Sequence, residues 1–284
     1  MSAQRTALIT GSNSGFGRVT AELLVAEGWR VFATMRNVAG ANAEPAEALR
    51  ALGAYVVELD VTSDTSVDAA ARKIVAIATP DVLVNNAGAA YFGLLEAFTP
   101  ALVEQQFAIN VFGPLRVNRA FLPAMRERGS GLIVYISSVV GRITTPFGGV
   151  YASSKWALEA LAESSALELA PLGINVAIVQ PGAFPTEISS KSTRPDDLAR
   201  AAAYGPESLQ VAKRLSVGLA AAAQDRDPAD VARAIVHLAN LPSSQRPLRT
   251  TVPNDAIVES INDCARHAQK AYLDALGMPE ANPR

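Results

Sequence analysis

Tyr151 and Lys155 stand four residues apart at the head of a long helical pattern, on one face of it. Upstream, Ser137 and Ser138 close a short apolar run, Leu132–Ile136, that reads as a buried strand. One strand, one loop and one helix therefore gather a hydroxyl, a phenol and an amine within residues 131–155. An unperturbed phenol has a pKa of about 10 and is a poor base at neutral pH. A cation nearby favours its ionised form, and Lys155 can provide that field. Such a set suits the interconversion of a carbonyl and an alcohol. Tyr151 gives a proton in reduction and takes one in oxidation, and Ser138 donates to the oxygen as charge develops. None of the three can supply hydride, so a cofactor must. Taken alone, the Tyr–Lys pair reads better as an ordinary amphipathic helix start, and the strand-end serine with the glycine turn at residues 11–17 reverses that reading. Ser137 also rivals Ser138, since adjacent residues on a strand point to opposite faces.

A place for the cofactor lies near the start of the chain. The first apolar strand, Ala7–Thr10, runs into Gly11-Ser12-Asn13-Ser14-Gly15-Phe16-Gly17, and a helical pattern begins there. Glycines permit a tight turn and let the backbone approach a pyrophosphate. The helix N-terminus offers that anion unpaired N–H groups and a positive dipole end. The spacing is G-x-x-x-G-x-G, and no Lys follows at the position that phosphoryl-transfer loops require. The second strand ends at Thr34-Met35-Arg36, without the acidic residue that would bind adenosine ribose hydroxyls. The guanidinium of Arg36 suits a 2′-phosphate, which favours NADP(H) over NAD(H). A solvated surface arginine is the plainer reading of the same residue.

The elements that must hold these groups alternate along the chain. Strands are expected at Ala7–Thr10, Arg30–Thr34, Tyr55–Leu59, Asp81–Val84, Leu132–Ile136, Ile174–Gln180 and Leu248–Val252. Helices are expected at Phe16–Gly28, Ala46–Leu52, from the Thr62-Ser63 cap to about Ala78, and over Pro100–Arg128 with a bend at Gly113-Pro114. Others follow at Tyr151–Leu172, Glu207–Ala223, Pro228–Leu241 and Asp255–Leu276. The repeating order with β-branched strands implies an α/β fold, a parallel sheet covered by helices on both faces. Ligands then bind at the carboxyl edge of the strands. The loops that carry Phe92, Ile143, Phe147 and Phe184 gather at this edge and suggest a partly apolar substrate wall. Residues 187–206, rich in Ser, Thr and Pro, read as a mobile lid, and 254–284 as a C-terminal helix and tail. No linker divides the chain, so residues 1–284 are expected to form one domain.

The bulk numbers exclude other chemistries. With 25 basic and 27 acidic residues, a net of −2, the chain offers no electrostatic reason to bind nucleic acid or an anionic membrane. One cysteine and two distant histidines make a metal centre improbable, and no metal is expected. No apolar run approaches the ~18 residues of a membrane span, and the N-terminus is too short before its first strand for a signal peptide. A cytoplasmic location is expected. Cys264 should be buried, Trp29 and Trp156 should be packing groups, and His237 and His267 should lie on helix surfaces.

Taken together, Thr10-Gly11-x-x-x-Gly15-x-Gly17, Asp60, Asn85-Asn86-Ala87-Gly88, Asn110, Ser138, Tyr151-x-x-x-Lys155 and Pro181-Gly182-x-x-x-Thr186 resemble the classical short-chain dehydrogenase/reductase family. The resemblance runs from about Thr6 to Thr186. It departs only at Phe16, where Ile is commoner, and at Ser153. It implies a Rossmann-type doubly wound sheet of about seven strands, and an enzyme acting on CH–OH donors with NAD(P). It selects Ser138 over Ser137. It also places Asp60 and Val61 at the adenine, Asn86, Ala87 and Gly88 at the cofactor ribose, and Pro181, Gly182 and Thr186 beside the nicotinamide. Asn110 would hold a helix distortion and a water communicating with Lys155, and Lys155 would also bind the nicotinamide ribose. Members of the family pair through their long helices, so a homodimer or homotetramer is implied. The alternatives are a silent nucleotide-binding sensor or scaffold, and a dehydratase or epimerase on the same fold.

Overall fold

The computed structural model describes residues 4–278. Seven strands form one sheet: β1 Thr6–Thr10, β2 Arg30–Met35, β3 Tyr55–Glu58, β4 Val82–Asn85, β5 Gly131–Ile136, β6 Ile174–Pro181 and β7 Arg249–Val252. Their order across the sheet is β3-β2-β1-β4-β5-β6-β7, and every pair is parallel. The order reverses between β1 and β4, and a crevice opens there beyond the strand ends. The helices are α1 Gly15–Ala26, α2 Ala43–Ala51, α3 Asp64–Val75, α4 Pro100–Asn110, α5 Phe112–Arg128 and α6 Gly149–Leu169, then α7 Glu187–Ser190, α8 Leu198–Ala203, α9 Gly205–Ala223, α10 Ala229–Asn240 and α11 Ala256–Ala275. This is the Rossmann-like parallel architecture that the strand spacing predicts.

Alternation along the strands builds a core on each face. Ala7 and Ile9 of β1 join Val31, Ala33 and Met35 of β2 and Leu132 and Val134 of β5 under α1 and α10. Leu8, Phe32, Ile133 and Tyr135 face the other way, onto α3, α5 and α6. Both faces of the central strands are dry, so these strands carry no polar stripe, whereas the edge strand β3 is partly exposed.

Four local readings need correction. The break in the long helical stretch falls at Val111 (φ −114°, ψ −58°), between α4 and α5, and not at Gly113-Pro114. Pro114 lies in the first turn of α5, where a residue without an N–H costs nothing. The segment 187–206 is not irregular. It holds α7 and α8, and Thr193 pairs with Tyr91 as a short parallel bridge. Its two aspartates cap and tie where the sequence suggested only loop: Asp197 caps α8, and Asp196 accepts bonds from the Thr99 backbone at 3.0 Å and hydroxyl at 2.6 Å. Cys264 is exposed, on the outer face of α11. Trp156 is also 44% exposed, with Arg142 over its ring at 5.9 Å, whereas Trp29 is buried. Both histidines lie on exposed helix positions.

Candidate active site

Four strand ends converge at the carboxyl edge. β1 delivers Thr10 and the glycine turn, β4 delivers Asn85 to Gly88, β5 delivers Ser138, and β6 delivers Pro181 and Gly182. The turn is pinned from below. Asn86 Nδ2 donates to the Thr10 carbonyl at 2.8 Å and the Gly11 carbonyl at 3.1 Å, and the Asn86 and Ala87 N–H groups bond the Thr10 hydroxyl at 3.0 Å. Gly17 sits where no side chain fits: a Cβ there would stand 2.5 Å from the Gly11 carbonyl oxygen. Gly11 and Gly15 hold φ at 68° and 55°. Ser12 turns inward to the Ile9 carbonyl, and Phe16 packs edge-on against Phe184 at 5.5 Å. Ser14 stands in extended conformation at the head of α1 without capping it by its side chain. The first N–H groups of the helix are therefore left for another acceptor. A cleft of about 480 Å³ is lined by Asn13, Ser14 and Gly15, by Thr186, and by Glu187 and Lys191 of the 187–206 segment.

Arg36 is exposed at the end of β2, its carbonyl bonded by Asn42 Nδ2 at 2.6 Å. Asp60 lies close enough to feel its charge. Partial burial opposes ionisation of Asp60, but the bonds from Thr62 and the charges of Arg36 and Arg116 together outweigh it and hold the carboxyl below its usual range. Val61 is buried behind it against the start of α5.

Ser138 closes β5 in extended conformation, its hydroxyl accepting from the Val140 N–H at 3.3 Å and donating to the Pro181 carbonyl at 3.3 Å. Ser137 points elsewhere, into the interior, beside Gly141. Tyr151 and Lys155 project from the first two turns of α6. The ring of Phe92 meets the Tyr151 ring edge at 5.4 Å. Burial in these apolar surroundings pushes the Tyr151 phenol up to about 12, and the nearby Ser138 hydroxyl opposes the shift. Burial also pulls the Lys155 amine down to about 8, against the attraction of Glu159. The expectation that Lys155 lowers the phenol is not met in this geometry. Its Nζ donates to the Ile136 carbonyl at 2.7 Å and lies 5.7 Å from the centre of the Tyr151 ring, so desolvation dominates both groups.

Asn110 ends α4, and its amide clasps the Ala89 backbone in both directions, Oδ1 accepting at 2.9 Å and Nδ2 donating at 3.0 Å. It also donates to Ser154 Oγ at 3.0 Å, and Ser154 donates to the Tyr151 carbonyl at 2.7 Å. The helix break at Val111 and the β4 loop are thus tied to the first turn of α6. Gly88 completes this corner, between Asn110 and Lys155. The sequence reading missed Ser154 as a tie, and it missed Glu159, a buried carboxylate one turn beyond Lys155. The i, i+4, i+8 spacing of Tyr151, Lys155 and Glu159 was the signal available.

Residues 5–197 match the family model described as short chain dehydrogenase. Human retinol dehydrogenase 8 is 37% identical over 255 residues, 87% of this chain and 81% of its own length. A short-chain dehydrogenase from Streptomyces avermitilis superposes with a TM-score of 0.75 at 34% identity, covering 97% of this chain and 98% of that one. An alcohol dehydrogenase from the archaeon Thermococcus sibiricus, solved with 5-hydroxy-NADP, gives 0.69 at 27% identity over 87% of this chain and 95% of its own. A short-chain dehydrogenase/reductase from Burkholderia phymatum, solved with NAD, gives 0.73 at 25% identity over 95% of each chain. On its matched residues, its sheet and its nicotinamide-binding neighbours, this chain belongs to the short-chain dehydrogenase/reductase family of NAD(P)-binding oxidoreductases.

Proposed function

We propose that this protein interconverts a ketone or aldehyde and the corresponding alcohol by hydride transfer with NADP(H), with Tyr151 as general acid and base. The observation that carries the reading is the convergence of Ser138, Tyr151 and Lys155 at the edge where the glycine turn also opens. The residues fit a dinucleotide. The unspent N–H groups behind Ser14 suit its diphosphate, and the space kept by Gly17 lets the turn close on the body of the fold. Gly11, Ser12, Asn13, Ser14, Gly15, Phe16 and Gly17 would hold that diphosphate. Arg36 would hold a 2′-phosphate, Asp60 and Val61 the adenine, Asn86, Ala87, Gly88 and Lys155 the riboses, and Pro181, Gly182 and Thr186 the nicotinamide. When bound, the nicotinamide supplies or accepts the hydride.

The protein's own task is the proton. In reduction, the Ser138 hydroxyl donates a hydrogen bond to the carbonyl oxygen as negative charge gathers there. The phenol, held protonated by its apolar surroundings, then gives its proton to that oxygen. The resulting phenolate is unfavourable in a buried site, and the Lys155 ammonium is the cation that offsets its charge. Asn110, through Ser154, fixes the turn of α6 from which both groups project.

The substrate side is apolar. Phe92 meets Tyr151 directly, and the Gly93 N–H bonds the Phe147 carbonyl at 2.8 Å, which joins two of the loops around the site. Phe184 packs inward on Phe16, so it contributes less to this wall than its position in the sequence suggests. A secondary alcohol or ketone of modest to large apolar size fits, as the name of the retinol-acting relative also favours. Residues 187–206 form the lid over it. The exposed Phe112, Leu115 and Trp156 on α5 and α6 favour a homodimer or homotetramer, which light scattering tests. No described helix is long and apolar enough to cross a membrane, consistent with a cytoplasmic enzyme built as one domain.

Nicotinamide absorbance followed with NADPH and with NADH against a panel of apolar ketones and aldehydes tests the reading. Turnover with NADPH, faster than with NADH, is expected. Cofactor binding without turnover on any carbonyl would favour a silent sensor instead.

A further inference from the structure

The far side of Lys155 carries a buried ionic network that the chemistry above does not use. Glu159 is 2% exposed and lies one helical turn beyond Lys155 on α6. Gln180 Nε2 of β6 donates to its Oε1 at 2.9 Å, and Arg249 Nε of β7 donates to its Oε2 at 2.9 Å. Arg249 also bonds Glu163, and Asn262 of α11 donates to Gln180 Oε1 at 2.7 Å. Gly141 makes room for this carboxylate under the Ser138 loop, since a Cβ there would stand 3.2 Å from Glu159 Cγ and 2.8 Å from Ser137 Oγ.

A buried carboxylate with all its bonds satisfied is costly to build and does not favour stability over an apolar packing. It does fix a charge in a medium of low polarity, where its field reaches one turn along the helix with little screening. The only fixed partner of Lys155 Nζ among the described hydrogen bonds is a neutral carbonyl, Ile136. The other neighbours of this corner are neutral as well. Asn110 and Ser154 come from α4 and α6, Gln180 from β6, Asn262 from α11, and the Tyr151 phenol is un-ionised at neutral pH. The charged groups are Glu159 and Glu163 of α6, Arg249 of β7 and Arg142 of the loop after β5. Glu259 of α11 is tied to Thr251 at 2.6 Å, one step further out.

We propose that Glu159 is a positioning residue that keeps Lys155 protonated, and that Arg249, by sharing the Glu159 charge, sets how strongly it does so. The last strand and the C-terminal helix, outside the matched segment 5–197, thereby take part in the active site, Arg249 directly and Asn262 by way of Gln180 of β6. Burial alone drives the amine toward neutrality, and Glu159 is the group that opposes it. The role in turnover rests on the function proposed above, but the effect on the amine does not.

Competitive labelling with acetic anhydride, read by peptide mass spectrometry on the cofactor-free protein, reports the ionisation of Lys155 directly, because only the neutral amine reacts. Glu159→Gln should move the Lys155 midpoint down by about one pH unit, the effect of a single nearby opposite charge. Arg249→Gln leaves Glu159 uncompensated and should move it up. A lesion that merely loosens packing exposes the amine and cannot give opposite signs for the two variants. Unchanged midpoints, or shifts of the same sign, overturn the proposal. If Glu159→Gln does not fold, Arg249→Gln is read against Arg249→Lys, which disturbs the same contacts but keeps the charge: a rise in the first alone supports the proposal, and an equal rise in both overturns it. In turnover, the high-pH limb of kcat should follow the labelling midpoints while KM holds. A labelling shift without carbonyl turnover would support this inference and count against the proposed reaction alone.

Discussion

The Lys155 amine donates to the Ile136 carbonyl at 2.7 Å while the Tyr151 ring, one turn earlier on the same helix, lies 5.7 Å from it. The pair therefore does not form a charge-relieved phenolate in this geometry. It is a protonated acid beside a cation of reduced basicity, with the phenol near 12 and the amine near 8.

That inversion has a definite pH dependence. The amine carries its charge below about 8 and loses it as pH rises through that value. The phenol, pushed up to about 12, stays mostly protonated over this range, and its small ionised fraction grows with pH. Carbonyl reduction should run on a plateau below about pH 8 and decline above it. Alcohol oxidation needs the ionised phenol and should climb with pH toward the same point. Initial rates in both directions across pH check this, and a reduction rate that increases through pH 8 contradicts it.

Gly17 tests the phosphate turn. Its Cβ position is occupied by backbone, the Gly11 carbonyl at 2.5 Å, so neither rotamer change nor side-chain motion relieves the clash. Gly17→Ala should cost about 1–3 kcal/mol of stability through forced backbone shift and abolish detectable NADPH binding. Denaturant unfolding and fluorescence titration measure the two effects.

Arg36 tests the cofactor preference. It is exposed and beside Asp60, so its removal should leave the fold intact. Arg36→Asp should raise KM for NADPH and lower it for NADH, shifting the ratio by a tenfold or larger factor, as loss of a charge-assisted contact of roughly 1.5–3 kcal/mol implies. An unchanged ratio defeats the NADP assignment.

The proposed lid, residues 187–206, is tied to the loop of the proposed substrate wall by backbone. The Thr193 N–H bonds the Ala90 carbonyl and the Phe92 N–H bonds the Thr193 carbonyl, both at 3.1 Å. Thr193→Pro deletes the first of these donors. With a loss of about 1 kcal/mol, substrate KM should rise roughly fivefold while NADPH affinity is preserved. Steady-state kinetics and titration separate the two.

Much of this was legible in the sequence because it is local. The β-branched runs mark the strands to within a residue or two of their ends, and the glycine turn and the Tyr151–Lys155 pair stand out by type and spacing, whereas only the family resemblance separates Ser138 from Ser137. The departures have physical causes that spacing does not carry. Pro114 suits the first turn of a new helix as well as it marks a bend, so the break at Val111 was displaced in the reading. Cys264 is small and apolar, but it stands exposed on α11. Glu159 is a charged residue on a buried helix face, and only the distant partners Gln180 and Arg249 reveal why it is tolerated there. The orientation of Lys155 toward Ile136 depends in the same way on a strand end that is remote in sequence.

The central claim is direct hydride transfer with protonation by Tyr151, and an isotope answers it. NADPH deuterated at the transferable position of the nicotinamide should place deuterium on the carbinol carbon of the product. Tyr151→Phe should still bind NADPH and lose turnover by roughly two to four orders of magnitude. Product without deuterium at that carbon, or a Tyr151→Phe protein as fast as the native one, would contradict the account.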